Sequence, residues 1–214
     1  MNCKPSPVIE ITRGQKKPSL RARQKEVRKN QMIEAARKLF IANGYSKTSI
    51  EAIAETAEVG VATVYTYFEN KEGLAAALIR SDVSQIFEEV DRVCENLPDD
   101  PAEAVVKVID VFVNFHKFIS AELLHEFANE AKIDGPVGEV WAWTHKSQIG
   151  AIAQVLIRRK EMGRVAASLD VDTAAALIID LMDRHFNKLT TPRNMTGIEG
   201  QLEKFIHLLF ADWT

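Results

Sequence analysis

Apolar positions recur at helical spacing along most of the 214-residue chain, and no segment reads as a convincing strand. From Arg23 onward Met32, Ile33, Ala36, Leu39 and Phe40 share one face, and Asn43-Gly44 supplies a left-handed stop, which predicts a helix over 23–43. Thr48 stands three residues before Glu51, where a cap belongs, and Ile50, Ile53, Ala54 and Ala57 follow at i, i+3, i+4 and i+7. This is a short second helix ending at Ala57. After Glu58-Val59-Gly60 the run VATVYTYF predicts a third helix, and Asn70 caps a long fourth over 71–96.

Leu97-Pro98-Asp99-Asp100-Pro101 marks the clearest boundary, because Asp100 can cap and Pro101 suits a first helical position. Beyond it the periodicity predicts helices over 101–119 and 121–132, a break at Asp134-Gly135-Pro136, then helices over 137–162, 172–189 and 198–213. The expected class is all-α with about nine helices. Residues 1–22 mix Pro, Gly, Ser and Lys without an apolar period and read as a flexible basic arm. Residues 23–70 form a small helical head, and 71–214 a larger helical domain with the 71–96 helix as its link to the head.

Charge adds direction to this picture. Residues 1–50 hold twelve Lys and Arg against three acids, a surplus of nine, so the overall −3 leaves −12 on the remainder. A polyanion is drawn to the front of the chain and repelled by the rest. Cys3 and Cys94 lie far apart without metal-ligand spacing, so neither a disulfide framework nor a zinc site is expected. No apolar run is long enough to span a membrane and no signal core follows the N-terminal charges, which predicts a soluble, cytoplasmic protein.

Two short helices joined by a three-residue turn have the arithmetic of a helix-turn-helix, whose second helix enters the DNA major groove. Val64 and Phe68, at i and i+4, can face inward and leave Val61, Ala62, Tyr65 and Thr66 facing out. A tyrosine suits that outer face because its phenol donates to a phosphate oxygen from a short, stiff side chain. Lys71 and the first amides of the fourth helix lie one turn beyond, where a second phosphate can sit, and Thr48 can play the same part at the second helix.

At these residues the sequence resembles the TetR family of bacterial transcriptional repressors. The resemblance is carried by Ile33-Glu34-Ala35-Ala36 with Phe40, Gly44-Tyr45, Thr48, Ile53-Ala54, and Val59-Gly60-Val61-Ala62-Thr63-Val64-Tyr65-Thr66-Tyr67-Phe68 with Lys71 and Leu74, across residues 25–80. It implies that Thr48, Thr63, Tyr65, Tyr67 and Lys71 contact DNA, with Val61, Ala62 and Thr66 facing base edges. Three positions depart from the family pattern: Gly60 stands for the common serine cap, Ala62 for glycine and Tyr67 for histidine. With Val61 and Ala62 in place, apolar contact with thymine methyls is expected in preference to bidentate pairing with guanine.

The second half is expected to sense a small molecule and to dimerise. Val105, Val108, Ile109, Phe112, Phe115 and Ile119 make the 101–119 helix apolar nearly all round, with His116 at the centre of the stripe. His145 and Gln148 interrupt an apolar face formed by Trp141, Ile149, Ile152 and Val155. Polar groups on buried faces need partners, and an effector cavity lined by Phe112, His116, Trp141, His145 and Gln148 supplies them; so does a satisfied core. Wide apolar faces over 172–189 and 198–213 point to a homodimer made by those two helices, which the resemblance also implies, and so to a palindromic operator on double-stranded DNA. No metal, cofactor or catalytic constellation is indicated. The rival readings are a nonspecific architectural DNA binder, for which the large apolar half is superfluous, and an all-helical enzyme assembled from distant residues.

Overall fold

The computed structural model describes residues 19–115, 135–189 and 199–210. The expected 121–132 helix, His116 and most of the basic arm lie outside them. Among the described residues the chain forms eight helices and no strand: α1 (Leu20–Asn43), α2 (Ile50–Thr56), α3 (Val61–Phe68), α4 (Lys71–Cys94), α5 (Pro101–Phe115), α6 (Pro136–Glu161), α7 (Val171–Leu189) and α8 (Glu199–Phe210). Of the described residues, 19–85 and 135–143 make one compact unit, and 86–115, 144–189 and 199–210 make the other. The division falls within α4 and α6.

In the first unit, the α1 face predicted from sequence is the one that is buried, through Met32, Ile33, Ala36 and Phe40. The helix begins earlier than the apolar pattern suggests, at Leu20 instead of 23, because Ser19 Oγ accepts from the Ala22 amide at 3.2 Å and so starts it. Gly44, with φ 83°, ends it, and its amide donates to the Phe40 carbonyl. Ile50, Ile53 and Ala54 of α2, Val64 and Phe68 of α3, and Leu74, Ala75, Leu78 and Ile79 of α4 complete this core. Between α2 and α3 the Val59 amide reaches the Ala54 carbonyl at 2.9 Å, with Glu58 at φ 55°, a left-handed stop of the kind glycine usually fills.

Two further contacts fix the corners of this unit. Arg37 of α1 donates to both carboxylate oxygens of Asp82 on α4, at 2.7 and 2.5 Å, and Asp82 is only 6% exposed. The Asp82 carboxylate raises the Arg37 pKa further above its already high ordinary value, against the opposing effect of burial. At the α3–α4 corner Asn70 Oδ1 accepts from the Gly73 amide at 2.7 Å, as a cap at that position should.

In the second unit, Val105, Val108, Ile109 and Phe112 bury the apolar stripe of α5, and Phe112 meets Phe87 edge-on at 5.8 Å. Asp100 caps α5 through the Glu103 amide at 2.8 Å. Ile178, Ile179 and Met182 of α7 and Ile206 and Phe210 of α8 are also buried, with α8 packed on α5 and α7. Part of the apolar surface expected at a dimer interface therefore closes the unit's own core. Leu177, Phe205, Leu208 and Leu209 remain outside it, with Leu208 73% exposed. Arg159 is buried near the end of α6, where it donates to the Pro98 carbonyl, and burial lowers its pKa from the usual guanidinium value. No helix of the described residues is long and apolar enough to cross a membrane.

Candidate nucleic-acid interface

The rotation of α3 is set by Val64 and Phe68, both buried and four residues apart. Each is worth about 1.5–3 kcal/mol of burial, so turning this short helix to expose them costs more than its own hydrogen bonds return. With that face fixed, Ala62, Tyr65 and Thr66 are exposed, and Val61, Thr63 and Tyr67 are half-buried. Tyr65, 46% exposed, is the largest group on the outer side. Thr66 Oγ1 donates back to the Ala62 carbonyl at 2.8 Å, so the Val61-Ala62-Thr66 stripe presents mainly apolar surface. The α3 N-cap is Gly60, which makes no side-chain capping bond, as its lack of a side chain requires.

Tyr67 flanks the outer stripe on the side nearest α1, and its ring centroid lies 5.9 Å from Lys25 Nζ. The aromatic pair that opens toward solvent thus divides: Tyr65 is exposed, while Tyr67 is tied to the basic start of α1.

Two expected DNA contacts are placed differently. Thr48 does not cap α2; Ser49 does, accepting from the Ala52 amide at 3.2 Å. Thr48 is buried, and its hydroxyl donates to the Gly44 carbonyl at 2.8 Å with the Leu39 carbonyl at 3.3 Å. Lys71 lies at the start of α4 as expected, but its ammonium turns to the 45–48 segment, 3.0 Å from the Tyr45 carbonyl, 3.4 Å from Ser46 and 3.3 Å from Thr48. It also sits 4.3 Å from the centroid of the Tyr45 ring. All three ammonium protons have carbonyl acceptors, so Lys71 pins the turn that carries Thr48.

The residues expected around an effector separate in the structure. Phe112 and Gln148 are buried, and Gln148 shares its α6 face with buried Thr144 and Ser147, which the helical pattern did not single out. His145 is not on that buried face. Its side chain is 40% exposed, with Nδ1 2.9 Å from Asp183 Oδ2 and Nε2 3.7 Å from Asp180 Oδ1. Burial raises the Asp183 pKa, against the lowering effect of its bond to His145. Trp141 is half-buried in the first unit. No cluster of three or more His, Cys, Asp or Glu suited to a metal occurs among the described residues.

Residues 32–78, which span α2, α3 and the core-facing parts of α1 and α4, match the family model of bacterial regulatory proteins of the tetR family. These residues carry the DNA-binding domain of the TetR family. Among its relatives, the HTH-type transcriptional regulator EthR of Mycolicibacterium smegmatis is 25% identical over 68% of this chain and 67% of its own. The fatty acid metabolism regulator protein of Bacillus subtilis is 23% identical over 75% of this chain and 82% of its own. The solved structure of the regulator FadR from Bacillus subtilis, in complex with stearoyl-CoA, superposes with a TM-score of 0.65 at 20% identity, covering 85% of this chain and 97% of that one. With α2 and α3 as its helix-turn-helix, the chain is a DNA-binding transcriptional regulator.

Proposed function

We propose that the protein is a cytoplasmic repressor that binds a palindromic operator as a homodimer and leaves it when a small molecule binds its second unit. The carrying observation is α3: an inward Val64–Phe68 anchor behind an outward stripe of Val61, Ala62, Tyr65 and Thr66. In this reading Val61, Ala62 and Thr66 face base edges, and Thr63, Tyr65 and Tyr67 hold phosphates. Thr48 and Lys71 act from inside, fixing the turn in front of α3. The exposed apolar residues of α7 and α8, Leu177, Phe205, Leu208 and Leu209, form the dimer seam.

In this reading the effector enters the second unit near the buried polar Thr144-Ser147-Gln148 face of α6 and the apolar Phe112 of α5, since buried polar groups need partners. Such a lining suits a ligand with a long apolar part and few polar groups, and the relative with stearoyl-CoA bound makes a long-chain acyl-CoA the first effector to test. Ligand binding shifts the population toward a form whose two heads no longer match successive grooves.

The experiment is fluorescence anisotropy on the duplex that the protein enriches from a random library. Tyr65→Phe is expected to lose about 1.5–3 kcal/mol of binding per subunit, the worth of a hydrogen bond to a charged group. Unchanged affinity removes the phosphate role of Tyr65. Stearoyl-CoA is expected to release the duplex, and a complex indifferent to it and to shorter acyl-CoAs rejects that effector class.

A further inference from the structure

Beside α3 lies an open cleft of about 580 Å³ whose lining includes Ser19, Arg21, Gln24, Lys25, Arg28 and Tyr67. Arg21, Lys25 and Arg28 stand at i, i+4 and i+7, so they form one stripe along α1, and all three are exposed. None of the described residues lining the cleft is acidic. The stripe runs over seven residues, about 10 Å at the helical rise, which is too far for one phosphate to meet all three cations. A row of phosphates fits it, since each strand of duplex DNA carries one charge per about 3.4 Å of axis. The wall opposite the stripe is Tyr67 of the recognition helix, whose ring lies under Lys25. The family match begins at residue 32, so the whole α1 stripe lies outside it.

We propose that this cleft seats the sugar–phosphate backbone of duplex DNA flanking the half-site that α3 reads. The proposal rests on α3 being the base-reading helix and adds a second contact zone. Arg21, Lys25 and Arg28 meet successive phosphates, Gln24 supplies a neutral donor between them, and Tyr67 joins the cleft to the reading surface. The Ser19 cap matters because it starts α1 early enough to carry Arg21 into the stripe. Such contacts read the backbone and not the bases. The flank therefore contributes to affinity by being present, whatever its sequence.

The test compares wild type with Arg21→Ala/Lys25→Ala/Arg28→Ala, using the duplex the wild type enriches from a random library and a scrambled duplex of equal length. Affinity is measured between about 50 and 200 mM salt, where each lost phosphate contact lowers the log–log slope by about 0.9. The triple variant is expected to lower the slope by about 2 to 3 per subunit, about 5 for the bound dimer, on both duplexes and to keep the wild-type ratio between them. Shortening the flanks is expected to weaken wild type and to leave the triple variant unaffected. An unchanged slope, or a loss confined to the enriched duplex, overturns the proposal. Should the triple variant melt early by circular dichroism, Lys25→Gln alone, expected to lower the slope of the bound dimer by about 1.8, decides by the same criteria. Wild type that enriches no sequence instead defeats the reading of α3, a result distinct from failure of the cleft.

Discussion

The Arg37–Asp82 pair makes a graded prediction about what holds α1 to α4. Removing one partner from a buried ion pair costs about 3–5 kcal/mol, because the other is left charged without compensation. The two partners are not equivalent here. Asp82 is 6% exposed, whereas the Arg37 side chain is 25% exposed and also meets Glu34 at 3.1 Å. Arg37→Ala therefore strands a carboxylate in the core and should cost about 3–5 kcal/mol. Asp82→Ala leaves a guanidinium that can turn to Glu34 and water, and should fall at or below about 3 kcal/mol. Arg37→Met/Asp82→Leu replaces both charges by apolar groups and should cost less than either single change. Urea unfolding followed by circular dichroism gives the three values from midpoint and slope. An Asp82→Ala loss larger than that of Arg37→Ala, or a double variant at the sum of the singles, refutes the asymmetry.

Two predictions concern the frame around α3. Lys71→Met keeps the aliphatic stem but removes the ammonium from the three carbonyls, and should cost about 1.5–3 kcal/mol of stability with no change in the salt slope of DNA binding. Undiminished stability with a slope lower by about 1.8 for the bound dimer would instead make Lys71 a phosphate contact. A Cβ at Gly73 would lie 2.1 Å from the Phe68 carbonyl oxygen, a backbone atom at the end of α3. Gly73→Ala must open the α3–α4 corner, so thermal unfolding should show a loss of about 1–3 kcal/mol or more, accompanied by weaker DNA binding. A variant that melts and binds as wild type does contradicts this.

The reading helix was legible because its signal is local. Val64 and Phe68 fix its rotation through one i, i+4 step, and the structure buries that pair and no other residue of α3. Thr48 and Ser49 show where local signals compete. Both can cap, the Glu51 spacing favours Thr48, and the choice falls to Ser49 because the chain entering from α1 draws the Thr48 hydroxyl onto Gly44. Lys71 could be placed at a helix start, but its acceptors lie 23 to 26 residues away, beyond any periodic argument. Asp82 was open to detection, since it interrupts the buried Ile79-Val83-Ile86 face of α4 and such an intrusion calls for a cation. On α6 the apolar pattern was right in part: Gln148, Ile152 and Val155 of the inferred face are buried, but Val140, Thr144 and Ser147 share the buried side, and His145 lies at its edge.

In the proposed function the outward face of α3 reads DNA sequence for a twofold-symmetric protein. Selection of duplexes from a random library by the purified protein, followed by sequencing, tests it most directly. The expected result is an enriched inverted repeat whose half-sites lie a whole number of helical turns apart, about 10 base pairs each, with thymines at the positions nearest Val61 and Ala62. Salt-sensitive retention of DNA with no enriched sequence would contradict it.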